Sequence, residues 1–443
     1  MTSKAAKAKG AERKQRMDTS SLMEQVLSKD NLNAAYLQVV RNKGAAGVDG
    51  MIVEELGAYL SENGESIREK LRTRKYKPQP VRRVEIPKPE GGTRKLGVPT
   101  VVDRFVQQAV AQVLTPIFEE QFHDHSYGFR PNRCAQQAVL KALEMMNDGH
   151  SWVVDIDLAK FFDTVDHDKL MTIFGRTIKD GDVISVVRKF LVSGVMIDDE
   201  YEDTIVGTPQ GGNISPLLAN VMLNEVDKEL EARGLDFVRY ADDLIIMVGS
   251  RQAADRVMKS ITRFIEERLG LKVNGEKSKV DKPKGIKYLG FGFYYDSFAK
   301  GYKARPHPKA AAKFREQMKK LTCRSWGVSN GYKVKKLNQL IRGWINYFKI
   351  GSMKGLCERL DSQIRYRLRM CIWKHWKTPQ NRAKNLIKLG ISRKYAWSTA
   401  YTGARIAYVC QRGAMNVAVT KERLTRFGLV SMSDYYAERR VTC

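Results

Sequence analysis

Two adjacent carboxylates, Asp242 and Asp243, separate two apolar segments of this chain. Residues 236–241 and 244–249 are rich in aromatic and β-branched side chains, so we predict a short β-hairpin with the acidic pair on its turn. A hairpin with a purely structural role favours Asn-Gly or Asp-Gly at its turn, and this turn contains no glycine. An ordinary surface turn is the alternative, but the rest of the sequence favours a chemical role.

A third carboxylate, Asp157, lies near the end of the apolar segment 152–158, which we predict to be a strand of the same sheet. Asp155 lies two residues earlier on the same face of that strand and stays an alternative to Asp157. Carboxylates a few ångströms apart repel one another unless cations lie between them. Two Mg²⁺ ions about 3.5–4 Å apart, bridged by such carboxylates, stabilise the attacking 3′-hydroxyl and the leaving pyrophosphate of an in-line phosphoryl transfer. The three residues therefore indicate nucleotide polymerisation.

The elements around these residues follow the order β-α-β-β-α-β, which is that of a ferredoxin-like sheet. In such a sheet the first strand lies beside the third, which brings Asp157 next to the hairpin turn. We expect a helix that begins with Ser215 as N-cap and Pro216 at its first position, and that ends near Gly234. The predicted elements are strand 152–158, helix 215–233, strands 236–241 and 244–249, helix 253–269 and strand 271–274, with an insertion at 165–207.

Two segments upstream of the acidic pair suit contacts with a nucleotide. Residues 86–97 predict a basic hairpin with Lys88 and Arg94 on its two arms, which could clamp a triphosphate. Residues 208–213 precede the helix at Ser215, and their glycines permit close approach of the backbone to a nucleotide. Each signal is weak alone, since basic hairpins and glycine-containing loops are common.

The charge of the chain is strongly uneven. The 443 residues have a net charge of +28, and residues 310–443 contain 29 Lys and Arg against 6 Asp and Glu, a net charge of +23. Aromatic side chains such as Trp344 and Trp373 alternate with these cations, which is typical of a nucleic-acid-binding surface. Solvated faces of basic helices are the alternative. A hydrophobic content of 43% predicts a large folded core, and no apolar run is long enough to span a membrane.

The C-terminal region is predicted to be a basic helical bundle. The spacing of apolar residues indicates helices at about 308–322, 332–350 and 353–377. Six scattered cysteines without a Cys-x-x-Cys pair indicate neither a zinc site nor a disulfide framework, and they fit a reducing cytoplasm. The cations of the bundle that we expect to contact RNA are Arg342, Lys349, Arg365 and Arg369.

Together the motifs resemble those of the group II intron-encoded reverse transcriptases, also called maturases, over about residues 17–443. Seven blocks follow one another in the order of a reverse transcriptase, and residues 337–348 look like the maturase thumb signature. The blocks are Lys88 to Arg94, Tyr127 to Pro131, Asp157 to Asp163, Thr208 to Gly211, Tyr240 to Asp243, Leu271 to Lys277 and Tyr288 to Phe291. The resemblance implies an α+β fold: a polymerase right hand with fingers and a ferredoxin-like βαββαβ palm, then an α-helical thumb and a small basic C-terminal DNA-binding region.

The resemblance also implies roles for single residues. Asp157, Asp242 and Asp243 would be the catalytic carboxylates and would hold two Mg²⁺ ions. Phe162 would lie under the sugar and exclude a 2′-hydroxyl, whereas its neighbour Phe161 is expected in the core. The incoming nucleotide would contact Lys88, Arg94, Phe162, Gln210, Gly211 and Lys277, and the primer would contact Tyr288, Leu289, Gly290 and Phe291.

The implied domains begin with a basic disordered arm. They are the arm (1–16), an N-terminal extension (17–65), fingers and palm (66–300), a helical thumb (301–378) and a basic C-terminal DNA-binding region (379–443). Many family members end in a zinc-bound endonuclease with paired cysteines. This chain has no paired cysteines, so we expect the compact bacterial subgroup without that endonuclease.

The expected function is that of an RNA-directed DNA polymerase that binds its own group II intron RNA, assists its splicing and copies it after insertion into DNA. Its expected partners are the intron RNA, an RNA template with a DNA primer, target DNA and dNTPs, in the bacterial cytoplasm and without a membrane. One alternative is a free-standing reverse transcriptase of retron, diversity-generating or defence type, against which residues 337–348 argue. Another is an RNA-binding splicing protein with a vestigial polymerase, against which the intact carboxylates argue.

Overall fold

The computed structural model describes residues 21–87, 93–197, 200–202, 207, 211–411 and 413–440 of the chain. The chain forms two compact units. The first draws on Met1–Cys134 and Val154–Val280, and the second on Ala135–Val153 and Asp281–Cys443. Within the described ranges, no helix is both long enough and apolar enough to cross a lipid bilayer.

The first unit starts with a helical layer and a β-hairpin. Its elements are α1 (Leu22–Val26), α2 (Lys29–Asn42), α3 (Leu56–Arg72), β1 (Val81–Pro87), β2 (Thr93–Val98) and α4 (Val101–Glu119), with a 3₁₀ turn at Val53–Glu55. Thr100 caps α4 by accepting a hydrogen bond from the Asp103 amide (3.1 Å), and the apolar stripe of α4 packs on α1 and α2. β1 and β2 are antiparallel with Ile86 opposite Arg94, which confirms the arms of the predicted basic hairpin.

The middle of the chain contains the predicted ferredoxin-like sheet. The elements are α5 (Ala135–Asn147), β3 (Trp152–Ile156), α6 (Phe161–Thr164), α7 (His167–Thr177), α8 (Gly181–Leu191), β4 (Val195–Ile197), β5 (Glu200–Glu202), α9 (Ser215–Ala232), β6 (Asp236–Tyr240), β7 (Asp243–Val248), α10 (Arg251–Arg263), a π-helix (Phe264–Leu269) and β8 (Lys279–Asp281). The strand order β6-β7-β3-β8 is the ferredoxin-like order, so the predicted palm topology is confirmed. A second sheet has the order β2-β1-β4-β5.

The predicted start of α9 is wrong by one residue. Ser215 is the first helical residue rather than the N-cap, and Ile214 precedes it without a side-chain cap. The reason is that the Ser215 amide already donates to the Gly212 carbonyl (3.2 Å), so the chain is wound before the helix begins. The predicted end is confirmed, since Gly234 has a φ of 65°, the left-handed conformation that favours glycine at a helix end.

The last strand of the sheet is also displaced from its prediction. The sheet ends with β8, whereas within 271–274 the structure has an isolated bridge between Val273 and Leu158. Asn274 ends this segment because its carbonyl accepts a hydrogen bond from the Ser278 amide (2.8 Å), which turns the chain before β8.

The second unit combines α5 with a small sheet and a helical bundle. Its remaining elements are β9 (Lys287–Tyr288), β10 (Phe291–Asp296), β11 (Gly301–Pro306), α11 (Pro308–Leu321), α12 (Asn330–Phe348), α13 (Lys354–His375), α14 (Pro379–Lys388), α15 (Arg393–Ala400), α16 (Ile406–Gln411), α17 (Ala414–Ala418), α18 (Lys421–Arg426) and α19 (Met432–Arg439), with a 3₁₀ turn at Pro283–Gly285. The apolar face of α12 is buried at Leu337, Ile341 and Ile345. The three predicted helices of the bundle are thus confirmed as α11, α12 and α13.

Candidate active site

The acidic pair lies at the end of a two-residue hairpin. Tyr240 pairs with Asp243, so the turn itself consists of Ala241 and Asp242, and Asp243 is the first residue of β7 rather than part of the turn. Ala241 has a φ of 56°, as a tight hairpin requires at its first central residue. The Asp242 side chain is half-buried and Asp243 is exposed, so both carboxylates remain open to a ligand.

Asp157 follows directly after β3 and is held by hydrogen bonds of its own backbone. Its amide donates to Ser278 Oγ (3.0 Å), and its carbonyl accepts from the Asn274 amide (2.8 Å). Its carboxylate lies 3.7 Å from the Nζ atom of Lys277. The structure therefore places Lys277 beside one of the predicted catalytic carboxylates. Asp155, within β3 and half-buried, stays the alternative to Asp157.

The charges around Asp242 show that the predicted residues converge. Burial raises the pKa of the Asp242 carboxyl above its usual value, and the negative charge of Asp157 raises that pKa further. A backbone hydrogen bond of Asp242 and the cations Arg94 and Arg239 oppose this rise. The negative charge of Asp157 near the Asp242 carboxyl creates an electrostatic demand for a bound cation.

The carboxylate pair fits a magnesium ion by its chemistry. In the part of the chain that the structure describes, no group of three or more His, Cys, Asp or Glu side chains is arranged to hold a metal ion. Magnesium prefers carboxylate oxygens but uses one or two of them together with water and substrate phosphates rather than an all-protein cage. Asp157 and Asp242, coupled through their charges, match that requirement.

The basic hairpin and the glycine loop lie on the same unit as the carboxylates. Arg94 on β2 is close enough to Asp242 to lower its pKa. A Cβ atom added at Gly211, whose φ is 132°, would lie 2.4 Å from the Gly97 carbonyl of β2, so the Gly211 backbone lies directly against this strand. Lys88 and Gln210 lie outside the described residues.

Phe162 and Phe161 occupy different environments in α6. Phe161 is 3% exposed and belongs to the core, as expected, whereas Phe162 is half-buried. The two rings meet edge to face with centroids 5.2 Å apart. Gly207 packs against this helix, because a Cβ atom there would lie 2.9 Å from the Phe162 carbonyl. Gly207 therefore lies beside Phe162.

A buried arginine cluster, formed by Arg239, Asp227 and Asn220, supports the hairpin turn. The side chains of Arg239 and Asp227 are 1% and 0% exposed and form an ion pair, in which Arg239 Nε donates to Asp227 Oδ1 (2.7 Å). Arg239 Nη1 donates both to Asn220 Oδ1 (2.9 Å) and to the carbonyl of Ala241 (3.1 Å). The cluster thus connects α9 directly to the turn that carries Asp242.

Gly128 closes the other side of the turn. A Cβ atom at this position would lie 2.1 Å from the backbone nitrogen of Ala241, so only glycine allows this approach. The Gly128 carbonyl accepts a hydrogen bond from Asn220 Nδ2 (2.8 Å), and the Tyr127 amide donates to the Arg239 carbonyl (2.9 Å). The turn that carries Asp242 is therefore held from two sides by buried contacts.

Comparison with known proteins shows the family of the chain. Residues 86–293 match the family described as "Reverse transcriptase (RNA-dependent DNA polymerase)", and residues 311–390 match "Group II intron, maturase-specific domain". The chain is 34% identical over 279 residues to Protein YkfC of Escherichia coli (strain K12), an alignment that covers 54% of this chain and 73% of that protein. The chain belongs to the group II intron-encoded reverse transcriptases.

Two further relatives of this reverse transcriptase are intron proteins. It is 30% identical over 336 residues to Group II intron-encoded protein LtrA of Lactococcus lactis subsp. cremoris, covering 61% of this chain and 56% of LtrA. It is 29% identical over 335 residues to the putative COX1/OXI3 intron 2 protein of Saccharomyces cerevisiae, covering 62% of this chain and 38% of that protein. The chain thus spans only part of the length of these intron proteins.

In the second unit of this reverse transcriptase, residues 288–291 form a tight hairpin against α12. Tyr288 and Phe291 are 2% and 0% exposed, and the Phe291 ring lies 4.9 Å from that of Phe348. The turn itself consists of Leu289 and Gly290, and Tyr347 Oη donates to the Leu289 carbonyl (2.9 Å). A primer could therefore contact the turn, while the two aromatic side chains hold it in place.

The four cations predicted to contact RNA differ in their surroundings. Arg342 is exposed on α12, and Lys349 and Arg365 are half-buried. Arg369 instead donates from Nε to the Val419 carbonyl (2.9 Å) and also bonds Asn416, so its guanidinium holds α17 against α13. Burial lowers the pKa of Arg369. Contact with RNA is thus better suited to Arg342, Lys349 and Arg365 than to Arg369.

The arginine cluster was not found from the sequence, although a signal was present. Arg239 interrupts an apolar strand, and Asp227 and Asn220 interrupt the apolar stripe of a helix. A charge at a core position requires a buried partner of opposite charge, so the three residues could have been matched to one another. No feature of the sequence indicated that Ser278 would accept a hydrogen bond from the Asp157 amide.

Proposed function

We propose that the chain is the RNA-directed DNA polymerase of a group II intron, and that it binds the intron RNA, assists its splicing and copies it after insertion into target DNA. The observation that carries this proposal is the convergence of Asp157, Asp242 and Arg94 in a chain that also has a maturase-specific domain. The bacterial relatives YkfC and LtrA support a bacterial cytoplasmic setting.

The proposed roles of the site residues follow from their positions. Asp157, Asp242 and Asp243 would hold two Mg²⁺ ions, which stabilise charge on the attacking and leaving oxygens of a phosphoryl transfer. The pKa of Asp242 is raised without a cation, so binding of cations and loss of its proton are coupled. Arg94, with Lys88, would neutralise the triphosphate of a dNTP, and Lys277 would move from Asp157 toward the leaving pyrophosphate.

The substrate would be placed by the residues around the carboxylates. Gly211, with Gln210, would contact the nascent base pair, and the half-buried Phe162 would exclude the 2′-hydroxyl of a ribonucleotide. In the second unit, the turn at Leu289 and Gly290 would contact the primer of an RNA template with a DNA primer. Arg342, Lys349 and Arg365 would contact phosphates of the intron RNA.

An assay of intron RNA splicing distinguishes this function from the two alternatives. The purified chain should accelerate the splicing of its own intron transcript at a Mg²⁺ concentration at which the RNA alone splices slowly. The Asp242→Asn variant should keep this acceleration, because Asp242 is not among the residues proposed to bind the intron RNA, but it should lose cDNA synthesis. A chain that makes cDNA without any effect on splicing would indicate a free-standing reverse transcriptase. A chain that accelerates splicing without cDNA synthesis would indicate a vestigial polymerase.

A further inference from the structure

The second unit contains a basic cavity of about 610 Å³ that none of the proposed site residues lines. Its cations come from β11, α11, the start of α13 and the residue after α19. They are Arg305, Arg315, Lys354, Arg359 and Arg440. Among the described residues, no carboxylate side chain lines the cavity. Five positive charges thus converge on one concave surface, which concentrates the positive potential inside it.

These cations are arranged to face a ligand rather than a protein carboxylate. Within the described part of the chain, none of the five forms an ion pair, and four are exposed while Arg315 is half-buried. The guanidinium of Arg305 lies over the ring of Tyr294, 5.3 Å from its centroid, which limits the freedom of its side chain. Arg359 Nη1 lies 3.6 Å from the position of a Cβ atom on Gly355, so this side chain turns back over the start of α13.

The start of α13 adds backbone donors to the same cavity. Met353 precedes this 22-residue helix without capping it through its side chain, and the first turn contains no acidic residue. Lys354, Gly355 and Leu356, which form that turn, all line the cavity. The free amides of a first helical turn attract anions. They reinforce the five side chains, which carry the larger charge.

The floor of the cavity is rigid and partly aromatic. Tyr436 is 4% exposed and donates from Oη to the Gly351 carbonyl (2.9 Å), which fixes its side chain in the lining of the cavity. Tyr294 and Tyr436 both line the space together with Ser352 and Met353. The volume of about 610 Å³ exceeds that of a single phosphate ion, so the cavity has room for a ligand with several anionic groups.

We propose that this cavity binds successive phosphates in the phosphodiester backbone of a nucleic-acid strand. This assignment rests on the proposed function in one respect: a polymerase with an RNA template and a DNA primer binds such strands. The recognition itself needs only cations spaced around a groove, which Arg305, Arg315 and Arg359 provide.

Strand binding by the full chain tests the assignment. Fluorescein-labelled oligo(U) RNA and oligo(dT) DNA would be titrated at several salt concentrations with wild type and with Arg305→Gln/Arg359→Gln. If each arginine neutralises one phosphate, the slope of log K against log salt should become shallower by about 1.4, at about 0.7 per single-strand phosphate. The matched control is Lys284→Gln/Lys313→Gln, which removes the same charge from exposed residues of the same unit outside the cavity.

A second variant separates binding from folding. Lys354→Glu places a carboxylate in the first turn of α13, where it should maintain or raise the thermal unfolding midpoint, yet it should weaken strand binding by reversing a charge in the cavity. Loss of RNA binding, DNA binding or both would support the assignment and show which strand occupies the cavity. The cavity assignment would be overturned if Arg305→Gln/Arg359→Gln and Lys284→Gln/Lys313→Gln changed the salt slope equally. Strand binding by Lys354→Glu that equals that of wild type would also overturn it.

The polymerase is tested independently by primer extension with the wild-type chain. Wild type that extends a primer while the cavity variants bind strands normally would overturn the cavity assignment alone. Wild type that fails to extend, with strand binding that depends on the cavity residues, would overturn the proposed polymerase function and leave the cavity assignment standing.

Discussion

Variants of the buried ion pair between Arg239 and Asp227 should change the stability of the palm and the position of the Asp242 turn separately. Arg239→Met leaves Asp227, whose side chain is 0% exposed, without its cation. An uncompensated buried charge costs about 3–5 kcal/mol of unfolding free energy. Arg239→Met/Asp227→Leu removes both charges, and a buried ion pair replaced by apolar side chains of similar size is often close to neutral. The double variant should therefore recover most of the lost stability.

Activity should not recover in the same way. Both variants lose the hydrogen bond from Arg239 Nη1 to the Ala241 carbonyl (3.1 Å). A hydrogen bond from a charged donor contributes about 1.5–3 kcal/mol. If that energy holds Asp242 in place, its loss lowers the extension rate about ten- to a hundredfold. We also expect a higher Mg²⁺ concentration for half-maximal extension, because the carboxylate that would hold the ion is less well positioned.

Urea unfolding and primer extension at several Mg²⁺ concentrations would be measured for both variants. The control is Arg233→Met, which breaks a partly exposed ion pair with Glu229 on α9 and should cost less than about 1 kcal/mol without changing extension. A double variant with the wild-type rate and Mg²⁺ dependence would refute the positioning role of Arg239. If Arg239→Met is as stable as wild type, the ion pair between Arg239 and Asp227 does not stabilise the fold.

Three further outcomes follow from the same site. Gly128→Ala should strongly reduce extension, since its Cβ atom would lie 2.1 Å from the Ala241 nitrogen, whereas Gly64→Ala, with nothing within 4 Å, should keep full activity. Phe162→Ala should admit ribonucleotides, and an unchanged preference for dNTPs over rNTPs in single-nucleotide addition would exclude it as the sugar gate. The pKa of Asp242 is raised in the folded chain, so the folded chain disfavours the ionised carboxylate. The free energy of unfolding therefore falls as pH rises from the usual carboxyl pKa through the raised pKa. Asp242→Asn should therefore raise the melting temperature in EDTA at neutral pH, and this difference should vanish in acid.

The features that follow from local sequence could be predicted. The hairpin of β6 and β7 follows from two apolar segments around an acidic pair, and the strand order follows from the sequence of elements. The proximity of Asp157 to Asp242 then follows from the topology of a ferredoxin-like sheet. The effect of the Asp157 charge on the pKa of Asp242 agrees with this proximity. The helix end marked by Gly234 also lies where expected.

The features that depend on tertiary contacts could not be predicted. Arg369 lies on a basic helix like Arg365, and only the fold brings Val419 to its guanidinium. Tyr288 and Phe291 were predicted to contact the primer, yet their side chains pack in the core because the hairpin lies against α12. The position of β8 depends on where the chain turns after Asn274, which composition does not reveal.

The most direct test of the account is Mg²⁺-dependent extension of a DNA primer on an RNA template by wild type and Asp242→Asn. The control is Asp255→Asn, which changes a carboxylate on α10 that pairs only loosely with Arg251 (4.0 Å). Loss of a metal-holding carboxylate should remove about 4 kcal/mol or more of transition-state stabilisation, which is roughly a thousandfold in rate. We expect wild type and Asp255→Asn to extend the primer alike and Asp242→Asn to make no detectable cDNA. Extension by Asp242→Asn at the wild-type rate would contradict the assignment of the hairpin turn as the catalytic centre.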